Sequence, residues 1–182
     1  VIEGLYAAIV TDTGSFRFAN TTPRTHAIAG DLLRRGIDPE AAYRRLFATM
    51  PYRRIQLLRT ALESLEVDPE YHLSWMTIRA ADMSDAGTTA EDLDGVVEFA
   101  RSVEGTEIAI LFRETADRAT KISFRSNGEA DVSAIARQFG GGGHVKAAGA
   151  LVGGEPLDTV RERVLDAARN HLRELELHDQ NG

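Results

Sequence analysis

Gly140-Gly141-Gly142-Gly143-His144-Val145-Lys146-Ala147-Ala148-Gly149-Ala150 is the stretch around which this chain is organised. Ordering four consecutive glycines is unfavourable, because glycine loses the most backbone freedom on folding. Such a run is kept where backbone must approach something closely or turn with positive φ. Here it ends in a histidine and a lysine, then enters a small-residue segment that reads as a tight strand. Exposed amides, an imidazole and an ammonium together make an anion site, most simply one for phosphate. The plainer reading is a flexible hinge with a chance histidine, and the glycines alone leave both open.

The flanking sequence gives the run a setting. Asp131 caps a short helix through Val132, Ile135, Ala136 and Phe139, which the glycines end, and Ala147 to Val152 returns as a strand. Upstream, Glu107 to Phe112 is the clearest strand in the chain. Lys121 to Ser126 alternates Ile122 and Phe124 against Lys121, Ser123 and Arg125. The polar segment Arg113 to Thr120 between them predicts a hairpin. Tyr71 to Ile78 predicts a further strand, and Thr89 caps a helix carrying Leu93, Val96, Val97 and Ala100, with Asp92 at the capping-box position. Pro156 starts a last helix with Leu157, Val160, Val164, Leu165, Ala168 and Leu172 inward, and residues after Leu177 read as frayed. These elements predict a small mixed-sheet α/β domain over residues 70–182.

Residues 38–69 read as a helical connector. Asp38-Pro39-Glu40 is a helix start, Pro51 opens a second helix, and Val67-Asp68-Pro69 closes the segment. Residues 1–37 read differently. Gly4 to Thr11 is a short apolar run taken as a buried strand, which would place Asp12 at its C-terminal end, where α/β folds put active-site groups. Asp12 beside Thr13 and Gly14 also suits a plain turn. Thr22 or Thr25 caps the next helix, with His26 near its start and Gly36 at its end.

The 182 residues hold 21 Lys/Arg against 28 Asp/Glu, a net charge of −7, which argues against non-specific coating of nucleic acid. The charge is uneven, however. From Arg113 to Lys146 six basic residues face four acids, and from Glu155 onward seven acids face four arginines. The local positive excess surrounds the glycine run, as an anion pocket in an acidic protein requires. There is no cysteine, hence no disulfide frame or thiolate metal site, and no apolar run near the ~20 residues of a membrane helix. A cytoplasmic location fits, and no membrane partner is expected.

Two separated motifs resemble the C-terminal half of a DHH-family phosphoesterase, of the bacterial nanoRNase (oligoribonuclease)/pAp-phosphatase group related to the RecJ exonuclease. One is Val10-Thr11-Asp12-Thr13-Gly14-Ser15-Phe16-Arg17-Phe18 with Thr21-Thr22-Pro23 and Thr25-His26. The other is Ser123-Phe124-Arg125-Ser126 followed by Gly141-Gly142-Gly143-His144 and Ala147-Ala148-Gly149. The glycine motif alone is also similar to the C-terminal domain of alanyl-tRNA synthetase, so the order and spacing of both motifs carry the match.

The resemblance implies an α/β protein of two lobes. Residues 1–37 would be the remnant of a parallel-sheet DHH lobe and 70–182 a DHH-associated substrate-binding domain. It implies two divalent metals, Mn²⁺ or Mg²⁺, with Asp12 matching the last metal-ligand aspartate. Arg125, Ser126, Gly141, Gly142, Gly143 and His144 would contact substrate, with His26 nearby, and Asp12 and His144 would carry the catalytic roles. The expected ligands are short RNA or DNA oligonucleotides and 3′-phosphoadenosine 5′-phosphate (pAp). The family's Asp-His-His motif is absent, so the chain is expected to begin inside the DHH lobe, its partner being the rest of that lobe, and to be inactive alone. A homodimer is compatible with the sequence. The alternatives are a stand-alone module that grips nucleotides or nucleic-acid ends, and a fragment of a RecJ-type single-strand exonuclease. A P-loop NTPase is excluded, because His144-Val145-Lys146 follows the glycines in place of Gly-Lys-Ser/Thr.

Overall fold

A computed structural model describes residues 1–179. The chain forms two compact units, Val1–Pro51 and Tyr52–Gly182.

The first unit consists of helices α1 (Ile2–Asp12), α2 (Pro23–Arg34) and α3 (Pro39–Leu46). Tyr6, Val10, Ala29, Leu32 and Ile37 form its core, with Ala42 and Leu46 packed against it. The strand expected over residues 4–11 is therefore a helix. Tyr6 and Val10 are buried at i, i+4 while Leu5 stays half exposed, which is one helical stripe. An eight-residue apolar run does not reveal its period, and the central Ala7-Ala8 pair favours the helix. Asp12 accordingly ends a helix. Thr22 caps α2, accepting the Thr25 N–H at 3.2 Å while the Thr25 hydroxyl accepts the Thr22 N–H at 3.2 Å. Asp38 Oδ1 caps α3 through the N–H groups of Glu40 and Ala41.

The second unit comprises α4 (Tyr52–Glu63), β1 (Glu66–Asp68), β2 (Leu73–Ile78), α5 (Ala80–Asp85), a 3-10 turn (Ala90–Leu93), α6 (Val97–Arg101), β3 (Ile108–Glu114), β4 (Thr120–Ser126), α7 (Val132–Gln138), β5 (Gly142–His144), β6 (Ala147–Val152) and α8 (Leu157–Asp179). The unit boundary thus falls inside the stretch read as a connector: α3 packs in the first unit and α4 in the second. The helix expected from Thr89 is broken at Asp94-Gly95, where Gly95 turns with φ +79°. The expectation of fraying beyond Leu177 falls in part on residues 180–182, which lie outside the described residues.

The six strands make one mixed sheet in the order β1-β2-β3-β4-β6-β5. β2 and β3 are parallel, joined by the crossover through α5 and α6, and every other pair is antiparallel. One face carries Leu73, Trp75, Ile110, Phe112, Ile122 and Phe124 under α7 and α8. The other carries Met76, Ile78, Ala109 and Leu111 under α4 and α6. β2 is therefore buried along its whole length. The helices on this second face pack over β2 and β3, and α6 reaches β4. Past α6, β6 and β5 continue the face with Ala147, Gly149 and Gly142.

Candidate anion-binding face

The site is built by register. Arg125 on β4 pairs with Ala147 on β6, and Ala147 pairs with His144 on β5. Residues directly opposite in antiparallel strands project to the same side. Arg125 and His144 therefore flank the small Ala147 in one row across three strands. The next row is Ser123, Gly149 and Gly142, and beyond it Lys121 pairs with Leu151. Alternate residues Phe124, Ile122, Ala148 and Ala150 face the other way, into the core with Val132 and Ile135.

The Arg125 side chain is only 28% exposed and is held in place. Its Nε donates to Glu98 Oε1 of α6 at 2.7 Å, and its Nη1 donates to the Phe124 carbonyl at 2.9 Å. Nη2 has no acceptor among the described residues, so one arm of the fork is directed but unspent. His144 is exposed. Lys121 reaches back over the middle row: its Nζ lies 3.8 Å from where a Cβ on Gly149 would stand.

The four glycines divide by cause. Gly140 follows the end of α7 with φ +72°, a left-handed helix stop. Gly141 and Gly143 face the core side of the hairpin, where an added Cβ would stand 2.1 Å from the Gly149 carbonyl oxygen and 2.6 Å from that of Ala147. Gly142, within β5, has open space around its missing Cβ, and it lies on the face of Arg125 and His144. The run is thus an edge strand with one bare window in it, rather than a hinge.

Ser126 does not join this face. It has the parity of Phe124, is 4% exposed, and its Oγ is buried without a hydrogen-bond partner in the described residues. The period of two sends neighbours on a strand to opposite sides, so the Arg125-Ser126 pair read from sequence splits. Its backbone still contributes, donating to the Lys146 carbonyl at 3.1 Å, while Val132 N–H donates to the Val145 carbonyl at 3.0 Å. These two bonds fix the turn between β5 and β6.

Asp12 and His26 belong to the first unit. Asp12 is exposed, and its carbonyl accepts Asn20 Nδ2 at 3.0 Å. His26 is exposed and stacks on Phe16, ring centroids 4.8 Å apart. Between them Gly14, Ser15 and Phe16 all have positive φ, at 54°, 58° and 66°. Two non-glycine residues in that region store strain, as loops at functional sites do. Thr13 tightens the turn, donating to the Ile9 carbonyl at 2.6 Å and accepting the Phe16 N–H at 3.1 Å. Among the described residues no three His, Asp or Glu side chains cluster to hold a metal. The donor set present therefore does not fit a two-metal centre, and Asp12 stands as a single carboxylate. Glu98 escaped the sequence reading, and Lys121 entered it as chemistry only through the basic excess around the glycine run; among the described residues no ion pair engages its ammonium. No local pattern signals Glu98, whereas Lys121 shares the parity of Arg125.

Past α6, the β4-β6-β5 part of the second face carries a directed arginine, a bare glycine and a histidine, a donor set whose chemistry suits an anion. Residues 72–174 match the DHHA1 domain, and the chain belongs to that family. It is 40% identical over 167 residues to the bifunctional oligoribonuclease and PAP phosphatase NrnA of Thermus thermophilus, covering 90% of this chain and 48% of that protein. It is 29% identical to the protein of the same name from Bacillus subtilis, covering 82% and 47%. The chain thus spans about half the length of these relatives. In structure it is similar to an exopolyphosphatase-related protein from Bacteroides fragilis, with a TM-score of 0.84 and 26% identity over 94% of this chain and 51% of that one. Among the described residues no helix is long and apolar enough to cross a membrane.

Proposed function

We propose that this chain is the substrate-gripping part of a DHH-type phosphoesterase, a cytoplasmic hydrolase acting on short oligoribonucleotides and pAp. The observation that carries the reading is the single row of Arg125, Ala147 and His144, with Gly142 bare beside it. The free arm of Arg125 would hold a substrate phosphate by a charge-assisted hydrogen bond. Gly142 would let the ligand backbone reach the sheet edge without meeting a side chain. His144 would donate to a phosphate oxygen and orient the bond to be cut. The names of the relatives supply the substrate class, and Asp12 enters the proposal as one ligand of a two-metal centre, Mn²⁺ or Mg²⁺, whose other ligands the described residues do not provide.

Calorimetric titration of the chain with a 5′-phosphorylated diribonucleotide tests the grip. Arg125→Ala and His144→Ala should each weaken binding about tenfold or more. Unchanged affinity in both variants would remove the assignment. The lack of a metal-ligating cluster among the described residues favours a second reading, a module that binds nucleotides without hydrolysis. Turnover of the same dinucleotide by this chain with Mn²⁺ would exclude that second reading.

A further inference from the structure

The open face carries a second basic site, at the end away from His144. Arg113 on β3 and Lys121 on β4 are register partners. Like charges directly opposite on antiparallel strands repel, and among the described residues no ion pair or hydrogen bond engages either side chain. Other carboxylates of the second unit are engaged elsewhere. Glu98 pairs with Arg101 and Arg125, and Asp131 with Arg137. Glu114 accepts the Ala80 N–H, and Asp117 the Thr115 hydroxyl. Arg113 and Lys121 line a cavity of about 200 Å³ with Ser123 and Asp94, floored by Leu93 and Leu111. Asp94 is the one acid in that lining, so the mouth keeps a net positive charge.

We infer that Arg113, Lys121 and Ser123 form a second phosphate subsite, which holds a phosphate further along a bound oligonucleotide than the one at Arg125. The inference rests on the proposed grip. Lys121 stands four residues from Arg125 on the same side of β4, roughly 13 Å at the usual strand rise. The Lys121 ammonium reaches back toward Gly149, so Arg113 beside it on β3 marks the far end, a reach that one phosphate held at Arg125 does not span. Two phosphates on separate nucleotides of an extended strand do. The stretch between them is floored by Ser123, Gly149 and Gly142, small enough to let a strand lie flat. The subsite distinguishes an oligonucleotide from pAp: pAp fills the Arg125 end alone, whereas a longer strand engages both.

The test titrates the 182-residue chain with pAp and with a 5′-phosphorylated pentaribonucleotide, at several salt concentrations. Arg113→Gln should leave pAp affinity unchanged. It should weaken pentamer binding about tenfold and flatten its salt dependence by roughly 0.7 in the log–log slope for one lost phosphate contact. Asp94→Asn should tighten the pentamer and leave pAp alone. Arg125→Ala should weaken both ligands. If Arg125→Ala weakens both while Arg113→Gln binds the pentamer as wild type does, the second subsite is wrong and the first stands. If Arg113→Gln loses both ligands equally, it acts through general charge and the subsite is again overturned. If wild type binds neither ligand, both readings fall.

Discussion

Arg125 Nε and Glu98 Oε1 meet at 2.7 Å and tie strand β4 to helix α6. Glu98 also takes Arg101 Nε at 3.0 Å, so one carboxylate orients two guanidinium groups. The Arg125 and Glu98 side chains are 28% and 40% exposed, so the pair contributes at most about 1 kcal/mol to stability. Its value lies in aim. Glu98→Gln keeps an acceptor while removing a negative charge near the ligand, and nucleotide affinity should hold or rise. Glu98→Ala frees the arginine, and affinity should fall several-fold with a melting temperature within a few degrees of wild type. Equal behaviour of the two variants in a binding titration would contradict an orienting role.

The glycines should separate in mutagenesis as they do in space. Gly143 has φ +146° and no room for a methyl group, so Gly143→Ala should cost about 3 kcal/mol in urea unfolding. Gly142→Ala meets nothing and should change stability by no more than about 0.5 kcal/mol. It should nevertheless weaken nucleotide binding by about 1 kcal/mol or more, because the methyl stands where the ligand must approach. A stable Gly142→Ala that binds normally would leave that window without function.

The N-cap of α7 gives a pH signature. Asp131 Oδ1 accepts the N–H groups of Ser133 and Ala134 at 2.9 and 3.2 Å. Its carboxyl is held below the ordinary value of 3.8, chiefly by the Ser133 hydroxyl, with the two N–H groups and the Arg137 charge adding to it against desolvation. A carboxyl depressed by folding stabilises above its unfolded value, and that contribution is lost as pH falls through the folded one. Asp131→Ala should therefore cost about 1 kcal/mol at pH 7. The gap between variant and wild type should narrow as pH drops below 3.8, read as the difference between urea midpoints. A gap independent of pH would mean that the cap acts without its charge.

Local signals were legible in the sequence, and distant ones were not. Thr22, Asp38 and Asp131 were readable as caps because each bonds within three residues of itself. The β3–β4 hairpin was readable because Ile122 and Phe124 alternate against Lys121, Ser123 and Arg125 around one turn. β1 and β5 were not, since three residues carry no period and both exist only by pairing with a neighbour. α1 was read as a strand because so short an apolar run satisfies either period, and packing of Tyr6 and Val10 against α2 decides. Within the site, Arg125 and His144 were visible as chemistry. Glu98 was not, because its contact is 27 residues away in sequence. Ser126 was assigned to the wrong side, because a motif read as a string ignores that neighbours on a strand face apart.

With no cluster of three metal-ligating side chains among the described residues, Mn²⁺ should barely stabilise this chain. At 1 mM Mn²⁺ the melting temperature should move by less than about 2 °C, the shift of a site no tighter than millimolar. A larger shift that Asp12→Asn abolishes would reveal a site the described residues do not account for.

The two-residue turn Val145-Lys146, pinned by Val132 and Ser126, fixes more than a hairpin. It sets the phase of the whole face. Adding or removing one residue between His144 and Ala147 shifts β5 by one place against β6. Every side chain on it would then change sides. His144 would turn inward toward the α7 side, and Gly143 would take the window. The spacing of the motif is therefore a parity condition. Sequence drift can change Val145 or Lys146, but their number is as binding as any residue in the site.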